Sequence, residues 1–299
     1  MKEPLLETKM LEPIEIDPKT FLRQHCTLPA LPGALDELQR VIQNGDGDTD
    51  KVAELISSEP ALLAQALKIV NSAYYGLPRE ISDVRFAIAF LGLNEIYRMV
   101  LSLSVINTLA VHRDHDLDDY WFHSFYAALC TKHVANQYDP HLSFEELWSA
   151  AMLHDIGKLV YLKFFPDHYQ GLKAFSRQQD CLFSEAESHF ALPSSAFLGT
   201  LLCDHWRLPE RIREACAFHS LKDLLAIKAN SASAGFRRMI CLGNLLATVS
   251  TEALSPANRQ DISAAVQKAL NLTEAEFLAL MGDIYELRIE VDKMIDQLH

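Results

Sequence analysis

The stretch SAAMLHDIGKLVY, Ser149 to Tyr161, sets a histidine and an aspartate side by side in an otherwise apolar helical run. Imidazole nitrogen and carboxylate oxygen are donors that divalent ions favour. A buried carboxylate without a partner is costly, so a cation, a hydrogen-bond network or solvent must satisfy Asp155. Neighbours on an α-helix point about 100° apart, so His154 and Asp155 can meet one ion only near a helix end, which Gly157 is expected to supply. Further ligands must come from other helices. His123, in YWFHSFYAALCTKHV, sits among Trp121, Phe122, Phe125, Ala128 and Leu129 and is the second candidate. Alone it reads as a hydrogen-bonded core histidine; its pairing with His154 and Asp155 makes it a possible ligand.

A second group of donor types, His112, Asp114, His115 and Asp116, falls in the charged segment VHRDHDLDDY, Val111 to Tyr120. Close spacing on a loop leaves nothing to orient ligands, so the segment reads as a solvated boundary between two lobes. Around NSAYYGLPRE, Gly76 and Pro78 end a helix and place Asn71, Tyr74, Tyr75 and Arg79 together, a possible interaction site whose plainer reading is two tyrosines packed over the next helix.

These residues must be held by helices. From Thr49 the apolar residues recur at three and four, giving two short helices separated at Pro60. Ser82 is placed to cap a third that stops at Gly92, and Asn94 to start a fourth. Helices are expected at Tyr120 to Gln137, Ser143 to Ile156, Pro166 to Arg177, Ser194 to Trp206 and Pro209 to Phe218, with another through Met239, Leu242, Leu245 and Leu246 and a last one after Thr273. The apolar stripe of that last helix fits core packing better than a dimer seam, leaving a monomer or a homodimer. No stretch alternates with period two for long, so the class is all-α.

The chain of 299 residues is 49% hydrophobic, enough for one large core or two modest ones, and carries a formal charge of −13. That charge disfavours nucleic acid, and Arg211, Arg213, Arg237 and Arg238 are too few and too scattered to make a basic face. A small local pocket for a nucleotide stays compatible with it. Six cysteines without a Cys-x-x-Cys fit neither a zinc knuckle nor a disulfide scaffold, which points to reducing cytoplasm. No signal peptide is evident and no run of about 18 apolar residues suggests a membrane span.

In its ordered blocks the chain resembles the HD superfamily of metal-dependent phosphohydrolases and, within it, the bacterial HDOD domain, a signalling relative generally taken to have lost the chemistry. The blocks are LPALPGAL, ISSEPALLAQALKIVNSAYYG and ISDVRFAIAFLGLNEI, followed by WFHS, LHDIGKLV, LLCDHWRLPERIREACAFHS and MICLGNLLA. The resemblance implies a multi-helical HD-type bundle: an extension over 1–19, an amino-terminal HDOD lobe over 20–115 and a degenerate HD-like lobe over 116–299. It also implies a metal set of His123, His154, Asp155 and, where catalytic relatives carry an aspartate, Asn244. The amide keeps one oxygen donor and loses a negative charge, so affinity for a divalent ion is expected to fall. Ser195 stands where the family often has a histidine, and His219, a supporting position and a possible interaction residue, is followed by Ser220 where the family often has a second histidine.

Lys158 is the obvious cation beside the pair; it resembles the phosphate-facing lysine of active relatives and equally suits a helix dipole. The reading is a non-catalytic signal-transduction module with a vestigial metal site and no cofactor required, acting through an unknown protein partner or a small ligand. If the chain is active instead, as a phosphohydrolase, His154, Asp155 and Lys158 carry the chemistry and a divalent metal is needed. HDOD modules are often joined to receiver or cyclic-dinucleotide domains; here the resemblance fills most of the chain, so a stand-alone module is expected.

Overall fold

The computed structural model describes residues 11–14, 31–43, 49–72, 75–110, 115–142, 144–228 and 233–298, and these form helices joined by turns. In chain order they are α1 (Gly33–Gln43), α2 (Thr49–Ser57), α3 (Pro60–Val70), α4 (Val84–Leu91), α5 (Leu93–Leu109), α6 (His115–Tyr138), α7 (Phe144–Leu153) and α8 (Ile156–Phe164). There follow α9 (Pro166–Gln179), α10 (Phe183–His189), α11 (Ser195–Trp206), α12 (Glu210–Ala217), α13 (Leu221–Ala226), α14 (Ala234–Thr251), α15 (Pro256–Leu270) and α16 (Glu274–Leu298). The all-α expectation holds. One continuous apolar cluster runs from Leu35 and Val100 through Phe125 and Leu153 to Leu246 and Ile284. No single helix among the described residues is long and apolar enough to cross a membrane.

Several element expectations need correction. α4 is capped by Asp83, whose carboxylate accepts the Arg85 amide at 2.7 Å, and not by Ser82. α6 begins at His115, inside the segment expected to be a loop: its charged first turn is held by Lys173, which reaches Asp116 at 2.5 Å and Asp119 at 2.6 Å. His112 and Asp114 lie outside the described residues. α1, α10, α13 and α15 add helices that the apolar spacing did not reveal.

The largest correction concerns the His-Asp pair. The expected helix over Ser143 to Ile156 stops at Leu153, and His154 and Asp155 form the turn between α7 and α8. Gly157 is therefore no helix end but lies in the first turn of α8. Its hydrogen faces α11: a Cβ there would stand 1.8 Å from the Ser195 carbonyl oxygen and 2.8 Å from the Gly199 nitrogen. Only glycine lets these two backbones meet. The same device recurs across the site, where a Cβ on Gly243 would stand 1.8 Å from Thr131 Oγ1 and 2.8 Å from the Ala127 carbonyl. α14 thus closes on α6 one residue before Asn244. α6 also packs on α7 and α16, and α5 packs on α7 and α8.

Candidate metal centre and its cavity

His154 and Asp155 are buried, 1% and 3% exposed. Asp155 occupies the N-cap position of α8 but makes no capping bond. Its carboxylate turns inward, with Oδ2 at 2.7 Å from Lys158 Nζ, 3.5 Å from His154 Nε2 and 3.7 Å from His123 Nε2, and Oδ1 at 3.5 Å from His219 Nε2. The imidazole separations are too long for good hydrogen bonds. Of the partners open to Asp155, a cation, a hydrogen-bond network or solvent, it is the Lys158 ammonium that satisfies the carboxylate. Lys158, together with the three imidazoles, outweighs burial and holds the Asp155 carboxyl well below the usual carboxylate range; the same contact holds the Lys158 ammonium above its usual range.

Hydrogen-bond partners fix the tautomers. His154 Nδ1 lies 2.6 Å from the Ala151 carbonyl, an acceptor, so Nδ1 carries the proton and Nε2 presents a lone pair. Burial pushes His154 down to about 4 and His123 down to about 3, so both rings are neutral at pH 7. Asn244 Nδ2 donates to the His219 carbonyl at 2.9 Å, which turns Oδ1 inward, 3.0 Å from His123 Nε2 and 3.1 Å from His154 Nε2. His123 donates to that oxygen. His154 Nε2 keeps its lone pair facing Asn244 Oδ1, which accepts from His123, and Asp155 Oδ2, which accepts from Lys158.

Such an acceptor cluster suits a cation. Ligand atoms of His123, His154 and Asp155 lie within 4.8 Å of one another, and Asn244 Oδ1 joins them. Two imidazole nitrogens, a carboxylate oxygen and an amide oxygen fit a divalent ion in kind, with a formal charge of only −1 that Lys158 already matches. Held there, an ion would supply Lewis acidity and an acidified water.

His219, which sequence placed only as a supporting or interaction residue, belongs to this centre: its Nδ1 bonds the Ala215 carbonyl at 3.0 Å, and its ring centroid is 5.0 Å from that of His154. The other interaction candidates lie elsewhere. Asn71 is spent on the backbone, exchanging two 2.7 Å bonds with Ile81 and donating to Leu67. Tyr75 donates to Glu95 at 2.5 Å, Arg79 is exposed, and Tyr74 lies outside the described residues.

Beside the centre opens a cavity of 550 Å³ whose lining includes His123 and Asp155. Lys158, Lys173 and Arg177 line it together with the carboxylates of Asp119, Asp155 and Glu252, each cation already paired with an aspartate, and Phe122, Tyr169 and Phe183 give it aromatic walls. Lys158 Nζ lies 5.2 Å from the Phe183 ring centre. Sequence reasoning missed this cavity. Its one visible trace was charge spacing, Lys173 and Arg177 four apart on α9 facing Asp116 and Asp119 three apart on α6. Also missed was buried Glu187, whose Oε1 accepts the Ser195 amide at 2.8 Å and so seats the start of α11 against Gly157. Burial pushes the Glu187 carboxyl up to about 7.

A sequence model of the HDOD domain matches residues 28–221, and the chain belongs to that family. An uncharacterized protein of Treponema pallidum (strain Nichols) is 24% identical over 192 residues, 64% of this chain and 37% of that protein. The matched stretch thus spans little more than a third of that relative's length. Among solved structures, an HDOD domain protein of unknown function from Geobacter sulfurreducens superposes with TM-score 0.73 at 20% identity, covering 94% of this chain and 97% of its own. A Shewanella amazonensis SB2B protein whose name proposes phosphohydrolase activity superposes with TM-score 0.69 at 22% identity, covering 94% and 98%. At such identities these likenesses establish the fold.

Proposed function

We propose that this chain is a regulatory HDOD module that binds a phosphorylated small molecule of nucleotide type in the cavity beside the His-Asp centre and relays its presence to a protein partner without turning it over. The observation that carries this reading is the state of the centre's charge: a neutral, hydrogen-bonded Asn244 amide where active relatives have a carboxylate, and a lysine ammonium already seated on Asp155. A divalent ion must displace Lys158 and gains no second carboxylate in return. Phosphoryl oxygens would compete with Asp116 and Asp119 for Lys173 and Arg177, and the aromatic walls suit a planar base. A cytoplasmic setting accords with the free thiols of Cys130, Cys181, Cys203, Cys216 and Cys241.

The acceptor cluster around His154 Nε2 favours a second reading, a phosphohydrolase or phosphodiesterase with a weakly held ion. Metal analysis of freshly purified protein, paired with hydrolysis assays on a generic phosphodiester and on nucleotides with manganese added, separates the two. Nucleotide binding without turnover, weakened in Lys173→Ala, is the expected result. Stoichiometric metal lost in His154→Ala, together with hydrolysis, would overturn the regulatory reading.

A further inference from the structure

α16 has two apolar sides. Phe277, Leu280, Ile284, Val291 and Met294 are buried. On the opposite side Leu278, Tyr285 and Ile289 are 64%, 62% and 60% exposed. With Gly282 between them they recur at steps of four, three and four, the spacing of a seam that meets another helix. Gly282 has nothing within 4 Å of where a Cβ would stand, so no contact within the described residues calls for glycine in mid-helix, where it destabilises relative to alanine. The close approach of a second backbone would call for it.

Charge decides which helix that is. α16 holds seven acidic residues and two basic ones, a net of −5. Two copies of this face would set acid against acid, whereas lysines and arginines flanking an apolar stripe would complement it. One of its two cations, Arg288, is drawn back over the ring of Phe122, 5.6 Å from the centroid, which leaves the outer face more acidic still. We propose that the outward seam of α16 docks a basic amphipathic helix of a partner protein, the helix-in-groove mode with charge as its selector.

The position of the seam gives docking a route to the centre. α16 packs on α6, where Tyr126 donates to the Ile284 carbonyl at 2.8 Å, and α6 carries both His123 and the cavity-lining Phe122 under Arg288. This surface rests on the reading of the chain as an interaction module, and it names the partner's chemistry.

The test uses the full chain and a fluorescent helical peptide built of leucine and lysine at amphipathic spacing, with a second peptide carrying glutamate for every lysine. The lysine peptide is expected to bind and to protect α16 amides from hydrogen exchange. Its affinity should fall at least about tenfold in the double variant Tyr285→Ser, Ile289→Ser and fall steeply with added salt, while the glutamate peptide does not bind. Both positions are exposed, so the variant's melting temperature should match the parent's. Undiminished binding to the variant, or a parent dimer that the variant dissolves into monomers, overturns the proposal, the latter because a second copy then owns the seam. Loss of peptide binding alone leaves nucleotide binding to be judged separately, so failure of the seam and failure of the module reading are distinguishable.

Discussion

Lys158 Nζ stands 2.7 Å from Asp155 Oδ2, three residues further along the chain, so the His-Asp turn carries its own counter-charge. Removing it strands a buried carboxylate. Lys158→Met is expected to cost about 3 kcal/mol of stability in metal-free buffer, the usual penalty for breaking a buried pair. Manganese should restore part of that loss, because the vacated side of Asp155 then faces an ion without competition. Urea unfolding with chelator and with manganese checks both halves; equal loss in the two buffers would contradict the expected competition.

Asn244→Asp adds the missing charge. Divalent affinity is expected to rise at least about tenfold, since each added anionic oxygen donor strengthens a hard or borderline site. Without metal the same variant should be less stable than the parent, because the new carboxylate would sit among the acceptors around Asp155. Calorimetric titration with manganese and melting curves in chelator give the two readouts.

Acidification pulls the buried groups in opposite directions. His154 titrates at about 4 in the folded protein against an ordinary 6.5, so the unfolded chain binds more protons in that window and stability is lost as pH falls from about 6.5. Glu187 titrates at about 7 against an ordinary 4.5, so the folded chain binds more protons there and its penalty is relieved as pH falls through 7. His123, held down to about 3, adds to the His154 loss, and Glu187 offsets part of it in the parent. Between pH 6.5 and 5, His154→Gln should lose about 2 kcal/mol less than the parent, and at pH 8 Glu187→Gln should be about 2 kcal/mol more stable than it. Denaturant midpoints at the three pH values decide; parallel curves for parent and variants would contradict both signs.

Gly157→Ala tests the close contact of α8 with α11. The new methyl would meet backbone, the Ser195 carbonyl, and not a side chain that can swing away. A loss of about 3 kcal/mol or more is expected, at the upper end of overpacking effects. Gly282→Ala, which meets nothing within the described residues, should instead raise the melting temperature slightly.

The three-and-four spacing of apolar residues announced the helical class and most of the longer helices, while the family's ordered blocks linked His123 and Asn244 to the adjacent pair. The turn at His154 escaped notice for a physical reason: from Ala150 to Tyr161 every residue but Lys158 is buried, so hydrophobic spacing runs straight through the break. α10 and α13, at 7 and 6 residues, are too short to display a period. The first turn of α6 is fastened by charge pairs and not by apolar packing, so its residues resembled a loop. Asn71 resembled a surface contact because a string of letters does not reveal that its amide is consumed by Leu67 and Ile81.

The change of direction between α7 and α8 makes the pair something other than two neighbours on one rod. His154 is tethered backward, to Ala151, and Asp155 forward, to Lys158. The gap of 3.5 Å between Nε2 and Oδ2 therefore measures the angle between two helices as a caliper would, and whatever tilts one against the other is written into that gap.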